Sequence, residues 1–105
     1  MVFAVIYRWK VTSGQEAKFE RIWGASTQII YSTFGSLGSS LHRDEHGEYV
    51  AYARWPDKKS WERMVNDYES TTEIEEFWER NVREIAPPMC LDLRLDLLQK
   101  TPFHK

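Results

Sequence analysis

The chain has one cysteine, Cys90, so no internal disulfide can form. Cys90 sits in an apolar run, where a thiol behaves as a small hydrophobe. The sequence has no long hydrophobic run either. Residues 2–7 are apolar, but Arg8 and Lys10 follow at once, which is too short for a membrane span and wrong for a signal peptide. Basic clusters are missing as well. Fourteen Lys and Arg face sixteen Asp and Glu, for a net charge of −2, and Lys58 and Lys59 stand beside acidic neighbours. That distribution argues against nucleic acid as a partner. The three histidines, His42, His46 and His104, have no metal-ligand spacing with Cys90 or a carboxylate, so no metal and no cofactor is expected. No repeat, linker or low-complexity segment breaks the chain. These absences predict one soluble cytoplasmic domain over residues 1–100, with a loose tail over 101–105.

Aromatic residues are plentiful: five Trp, five Tyr and five Phe among 105 residues. They serve either to fill a core or to line a pocket for a flat ligand. The pattern along the chain reads β-α-β-β-α-α-β. Residues 2–11 are β-branched and aromatic and predict a strand. Ser13 and Glu16 have capping-box spacing, and Phe19, Ile22, Trp23, Ser26, Ile30 and Phe34 form a helical stripe that ends at Gly35. Residues 36–43 and 48–55 predict a hairpin around 44–47, with Gly47 free to take positive φ. Asp57 is expected to cap a helix bearing Trp61, Met64, Val65 and Tyr68. Ser70 and Glu73 give a second capping box, and Ile74, Phe77, Trp78 and Ile85 carry a helix to Pro87-Pro88. The alternating run 89–98 predicts the last strand. The simplest architecture is α+β: a ferredoxin-like four-stranded antiparallel sheet of order 4-1-3-2 with helices on one face.

Alternation then sorts the faces. Phe3, Val5, Tyr7, Trp9 and Val11 are assigned to the helix side, with Leu91, Leu93, Leu95 and Leu97. Arg8 and Lys10, on the far side, are expected to pair with Asp92 and Asp96. Residues 35–43, GSLGSSLHR, are stripped of bulk, and one consistent assignment puts Ser36, Gly38, Ser40 and His42 beside Ala51 and Ala53 beneath the helices. Two readings stay open for that patch: a cavity edged by Tyr7, Trp55 and Trp61, or a helix packed closer. The far face would carry Ile6, Leu37, Leu41, Val50 and Tyr52. An apolar face near 400 Å² is about as much as a soluble monomer exposes, so a homodimer is expected.

The run GEYVAYARWPDKKSWE (47–62), the V-T-S-G turn after the first strand and the order of elements together resemble the antibiotic biosynthesis monooxygenase family of dimeric α+β barrel proteins. The resemblance spans residues 2–98. It implies sheet-face dimers and, in some members, oxygenation of polyphenolic, quinone-forming substrates without metal or flavin, through a substrate carbanion that gives an electron to O₂. Trp55 falls where such members carry a pocket tryptophan, Trp61 where they carry a tyrosine, and His42 where a histidine stands. Where they place a catalytic asparagine, this chain has Ala51. Haem-degrading relatives use an asparagine and a histidine where Tyr7 and about Val65 stand here, which speaks against that role. The expected site is therefore Tyr7, His42 and Trp55 as catalytic groups, His42 being either a base or a solvated strand end. Trp61, Ala51, Ala53, Ser40 and Gly38 would line the pocket. A small aromatic or quinol-like molecule would be the substrate, with a non-catalytic ligand-binding or stress-related dimer as the alternative.

Overall fold

The computed structural model describes residues 2–99. The expected loose tail, which includes His104, lies outside the described residues. Strand β1 (Phe3–Val11) is followed by helix α1 (Glu16–Phe34), the hairpin β2 (Gly38–Arg43) and β3 (Tyr49–Trp55), helices α2 (Lys58–Asp67) and α3 (Thr72–Asn81), and strand β4 (Val82–Asp92). The sheet order is β2-β3-β1-β4 with all pairings antiparallel, the ferredoxin-like α+β arrangement.

The local signals act where side chains meet backbone. Gly35 closes α1 in the left-handed region at φ 78°, which a Cβ would strain. Asp57 caps α2 by accepting from the Ser60 N–H at 2.8 Å. Both expected capping boxes shift. α1 is entered through Gln15, and Glu16 reaches back to the Gly14 N–H at 2.8 Å, so Ser13 has no capping part. α3 is capped by Thr71, whose hydroxyl accepts from Ile74 N–H at 3.3 Å, one residue after Ser70.

The core lies between the helices and one sheet face in two clusters. Phe3, Val5, Phe34, Ala53 and Trp55 form one; Trp9, Phe19, Tyr49, Ala51 and Phe77 form the other. β1 and β3 therefore have the expected parity. The Tyr49 hydroxyl, nearly sealed from solvent, donates to Glu20 Oε2 at 2.6 Å. Burial and then the carboxylate beside it push its pKa up to about 12. A folded-state pKa above the ordinary value near 10 means the folded chain keeps a proton that the unfolded chain loses. Stability from this group is complete below about pH 10 and drains away as pH rises toward 12. Alkaline unfolding followed by circular dichroism should show this loss, and Tyr49→Phe should flatten the curve over that window.

Three expectations fail in the tertiary structure. First, α3 ends at Asn81 and the chain enters β4 at Val82, so Ile85 is in a strand and not in a helix. β4 is an edge strand, and Pro87 and Pro88 fall in a register shift between the Ile6 and Arg8 pairings, where no N–H is required of them. Second, the leucines do not lie under the helices. Leu91 pairs with Ala4 on the outer face, and after Asp92 the chain leaves the sheet, with Leu95, Leu97 and Leu98 each more than three-quarters exposed. Asp96 then accepts from Arg54 Nη1 at 2.8 Å instead of pairing with Arg8 or Lys10, while Arg8 meets Glu48 at 3.5 Å. Since Arg54 and Ala4 are register partners, the Asp96 bond draws the segment after β4 back over the outer face of the sheet as an arm.

Third, the parity of β2 is reversed. Ser39 is opposite Ala53 and Leu41 opposite Ala51, both on the helix side, and Gly38, Ser40 and His42 lie on the outer face opposite Arg54, Tyr52 and Val50. The strand starts only at Gly38 (φ 108°), after a turn in which Ser36 bonds the Arg54 carbonyl and the Gly38 N–H. Leu37 thus precedes the alternation and stays exposed. Leu41 is the bulkiest apolar side chain within β2 itself, and the face that buries it against the second cluster wins. Arg43 follows on that side, over the Tyr49 ring.

Candidate active site

A chamber of about 200 Å³ lies between the helices and the sheet. Its floor is Ser39 of β2 with Ala51 and Ala53 of β3, small side chains on neighbouring strands that leave room above them. Trp23, Thr27 and Ile30 descend from one face of α1, and Met64 comes from α2. Tyr7 and Trp55 complete the wall. Its lining is mostly hydrocarbon, and its volume is somewhat above the roughly 150 Å³ that accommodates a benzene ring in a packed core.

Among the polar side chains of the lining, which also include Trp23, Thr27 and Ser39, Trp55 and Tyr7 stand out. Trp55 is 1% exposed, and among the described residues its Nε1 has no hydrogen-bond partner. Leaving such a donor unpaired costs about 1–3 kcal/mol, so an acceptor brought within its reach would be favoured. The Tyr7 hydroxyl accepts from Trp61 Nε1 at 2.9 Å, which leaves its own proton to donate elsewhere. Burial raises the Tyr7 pKa against the opposing pull of the Trp61 bond, so the phenol stays protonated near neutrality. The ring is fixed further by stacking on Trp9, with centroids 5.4 Å apart. Tyr7 pairs with Ala51, and Trp55 lies four residues further along β3, so the two donors enter from backbone positions roughly 13 Å apart.

Of the expected site, Tyr7, Trp55, Ala51 and Ala53 are brought together around this chamber. Trp61 stands behind Tyr7 and orients it without lining the chamber. His42, Ser40 and Gly38 do not join them, because the β2 register puts them on the other face of the sheet. There His42 Nε2 lies 2.8 Å from Ser40 Oγ. Ile6, Val50 and Tyr52 are on the outer face as expected, and Leu37 is exposed beside it, but Leu41 is on the helix side, half-buried against the second cluster. Sequence reasoning missed Ser39 and Thr27, and saw Met64 only as part of the α2 stripe. Trp23 and Ile30 were visible as part of the α1 stripe, but helical spacing alone does not separate a core residue from one lining a cavity.

The fold and chamber define a small α+β protein with an internal apolar site between helices and sheet. The chain belongs to the antibiotic biosynthesis monooxygenase family, whose model matches residues 1–80. Solved structures of the same fold include SnoaB, a cofactor-independent oxygenase from Streptomyces nogalater (17% identity, TM-score 0.74, covering 93% of this chain and 98% of that one). A haem-degrading protein from Mycobacterium tuberculosis is also similar (16% identity, TM-score 0.68, 92% and 99% covered). So is a conserved protein from Methanosarcina mazei Go1 (9%, TM-score 0.72, 90% and 94%). At these identities the likeness is one of fold. No curated protein sequence matches the chain.

Proposed function

We propose that this protein is a cofactor-independent monooxygenase acting on a small, flat phenol or quinol. The observation that carries the reading is an apolar chamber walled by Trp55, whose buried indole N–H has no partner among the described residues, and by Tyr7, whose hydroxyl is protonated. Two donor side chains carried on backbone positions roughly 13 Å apart suit a fused aromatic with oxygen at two edges. No residue lining the chamber is a base at neutral pH. The substrate must therefore be acidic itself: a hydroxyarene whose keto form carries a ring CH₂. It loses that proton to bulk water and enters the chamber as the anion. Trp55 and Tyr7 stabilise the resulting oxyanion, and the chamber's hydrocarbon excludes competing solvent.

The anion passes one electron to O₂, and the substrate radical and superoxide combine to form a C–O bond. The hydroperoxide then loses its remaining ring proton as the O–O bond breaks. One oxygen atom stays as a new carbonyl and the other leaves as water. The substrate supplies all four electrons. The fold's likeness to SnoaB supports this chemistry.

Oxygen uptake with anthrone and with a simple quinol tests the reading. Uptake should rise with pH along the substrate's own ionisation, with no break near 6.5 where a histidine would titrate. His42→Ala should leave it within about twofold. Saturable binding of both compounds in air without oxygen uptake would leave the non-catalytic ligand-binding alternative in its place.

We also propose that the protein works as a homodimer through the outer sheet face. Ile6, Leu37, Met89 and Leu91 expose apolar surface there, and the arm adds Leu95, Leu97 and Leu98. Clustered exposed apolar side chains of this kind mark an interaction surface. Light scattering at micromolar concentration should give twice the 12.5 kDa chain mass, and a Leu95→Asp, Leu97→Asp double variant should give the single-chain mass. A wild-type chain at its monomer mass would refute the dimer.

A further inference from the structure

Trp61 meets the chamber only through another side chain. Its Nε1 donates to the Tyr7 hydroxyl at 2.9 Å, and it is not part of the lining. Resting on the function proposed above, we infer that Trp61 is a specificity-determining residue. It makes Tyr7 a donor only, so the chamber takes at that end a ligand presenting a carbonyl or an oxyanion and discriminates against one presenting an N–H or O–H.

The geometry of a phenol is the first argument. Conjugation holds the O–H in the ring plane, where the oxygen offers two directions, one for its proton and one for a lone pair. A free hydroxyl turns between them and serves as donor or acceptor. The Tyr7 hydroxyl is not free. An indole N–H can only donate, so Trp61 fills the lone-pair direction and the proton takes the other. Both rings are held in place. Tyr7 is stacked on Trp9 with 9° between the ring planes. Trp61 packs on Phe3 with centroids 5.6 Å apart, from the first turn of a helix that Asp57 caps.

The second argument is what stays unpaired. The Tyr7 proton has no acceptor among the described residues. The side chain is half-buried, so that proton needs an acceptor from outside the chain. A ligand N–H or O–H brought to the same oxygen finds its lone pair already taken, and it bears its desolvation without a bond in return. The Trp61 bond also makes Tyr7 a stronger donor, because hydrogen bonds in series polarise one another. Burial raises the Tyr7 pKa and the Trp61 bond opposes that rise, as a donor that favours charge on the oxygen does. Ser39 and Thr27 carry hydroxyls in the lining that can accept as well as donate, so the selection belongs to the Tyr7 end alone.

The test uses two flat ligands of equal size, with affinities read by titration calorimetry: 1-indanone, whose carbonyl only accepts, and indole, whose N–H only donates. Neither is a monooxygenase substrate of the kind proposed, so the outcome does not depend on turnover. Trp61→Phe keeps the ring against Phe3 and frees the Tyr7 lone pair. Indole should bind this variant roughly fivefold more tightly than it binds the wild-type chain, while 1-indanone binds no more tightly than before. Lost packing would weaken both ligands and tighten neither. In a Trp61→Phe, Tyr7→Phe double variant the gain for indole should disappear. Tyr7→Phe alone should weaken 1-indanone roughly fivefold and leave indole within about twofold, since indole makes no bond to Tyr7 in the wild-type chain. Indole binding that is unchanged or weaker in Trp61→Phe overturns the inference, and so does equal weakening of both ligands in Tyr7→Phe. Either result leaves the chamber reading intact if 1-indanone binds the wild-type chain. If neither ligand binds it, the chamber reading falls and this inference falls with it.

Discussion

Trp55→Phe should fold, bind an anthrone-type substrate, and lose turnover by roughly 10²-fold. That is the usual effect of removing one donor aimed at a developing oxyanion in a water-excluded site. The substitution separates two roles of one residue. Trp55 is among the most buried side chains and part of the core, so truncation to alanine would cost about 3–5 kcal/mol in packing alone and confuse the result. Phenylalanine keeps most of that contact. It also breaks no hydrogen bond within the chain, since Nε1 has no partner among the described residues, so the stability loss should stay near 1–2 kcal/mol. Initial rates of oxygen uptake and a thermal melt, taken together, read both quantities. An unchanged kcat would remove the indole N–H from the mechanism. Tyr7→Phe is the companion variant. It also frees Trp61 Nε1, so its loss of rate should come with a larger loss of stability than Trp55→Phe shows for the same lost donor.

Phe19→Ala should be the most damaging substitution for the fold. Phe19 is fully buried at the centre of an aromatic cluster. Its ring centroid lies 4.7 Å from that of Tyr49, 5.4 Å from Trp78 and 5.8 Å from Trp9. Removing it takes away a ring of α1 that three others pack against, on two strands and another helix at once. The cost is expected at about 3–5 kcal/mol, a large share of the roughly 5–15 kcal/mol that holds a domain together. The melting temperature should fall on the order of 20 °C. Calorimetry decides it, and a loss under 1 kcal/mol would mean the cluster collapses around the gap far more readily than packed cores do.

The first two strands of the core were legible because their signal is redundant. In β1 and β3 every second residue is large and apolar or a small partner beneath a helix, so a one-residue slip would bury Arg8 or Arg54 and expose Trp9 or Trp55. α1 was legible for the same reason, and Asp57 and Gly35 marked ends that backbone chemistry demands. β2 had no such redundancy. Its two faces, Gly38-Ser40-His42 and Ser39-Leu41-Arg43, differ by one leucine within the strand, and the burial of that leucine decided the register. The chamber survived the reversal because its emptiness comes mainly from Ala51 and Ala53, which the sequence placed correctly, with Ser39 taking the place assigned to Ser40.

The C-terminal third misled for a different reason. Residues 89–98 alternate as a half-buried strand does, and two prolines stand before them. Yet β1 had room for an edge partner along its whole length, and pairing from Val82 satisfies backbone groups that a longer α3 would have left on β1. A bulge absorbs the prolines, and the leucine repeat is left to an arm that crosses the sheet.

By itself the sequence determined the order of elements, the antiparallel sheet and its strand order, the inner faces of the two central strands, and the presence of Tyr7 and Trp55 on one side of the sheet. Those follow from side-chain periodicity and from turn and cap chemistry, which act over a few residues. Only the tertiary structure decided the face of His42, the start of β4, the fate of the leucines and the unpartnered indole N–H. Each of these depends on which segments meet across the sheet, and two near-equal local choices are settled there by the burial of one or two side chains.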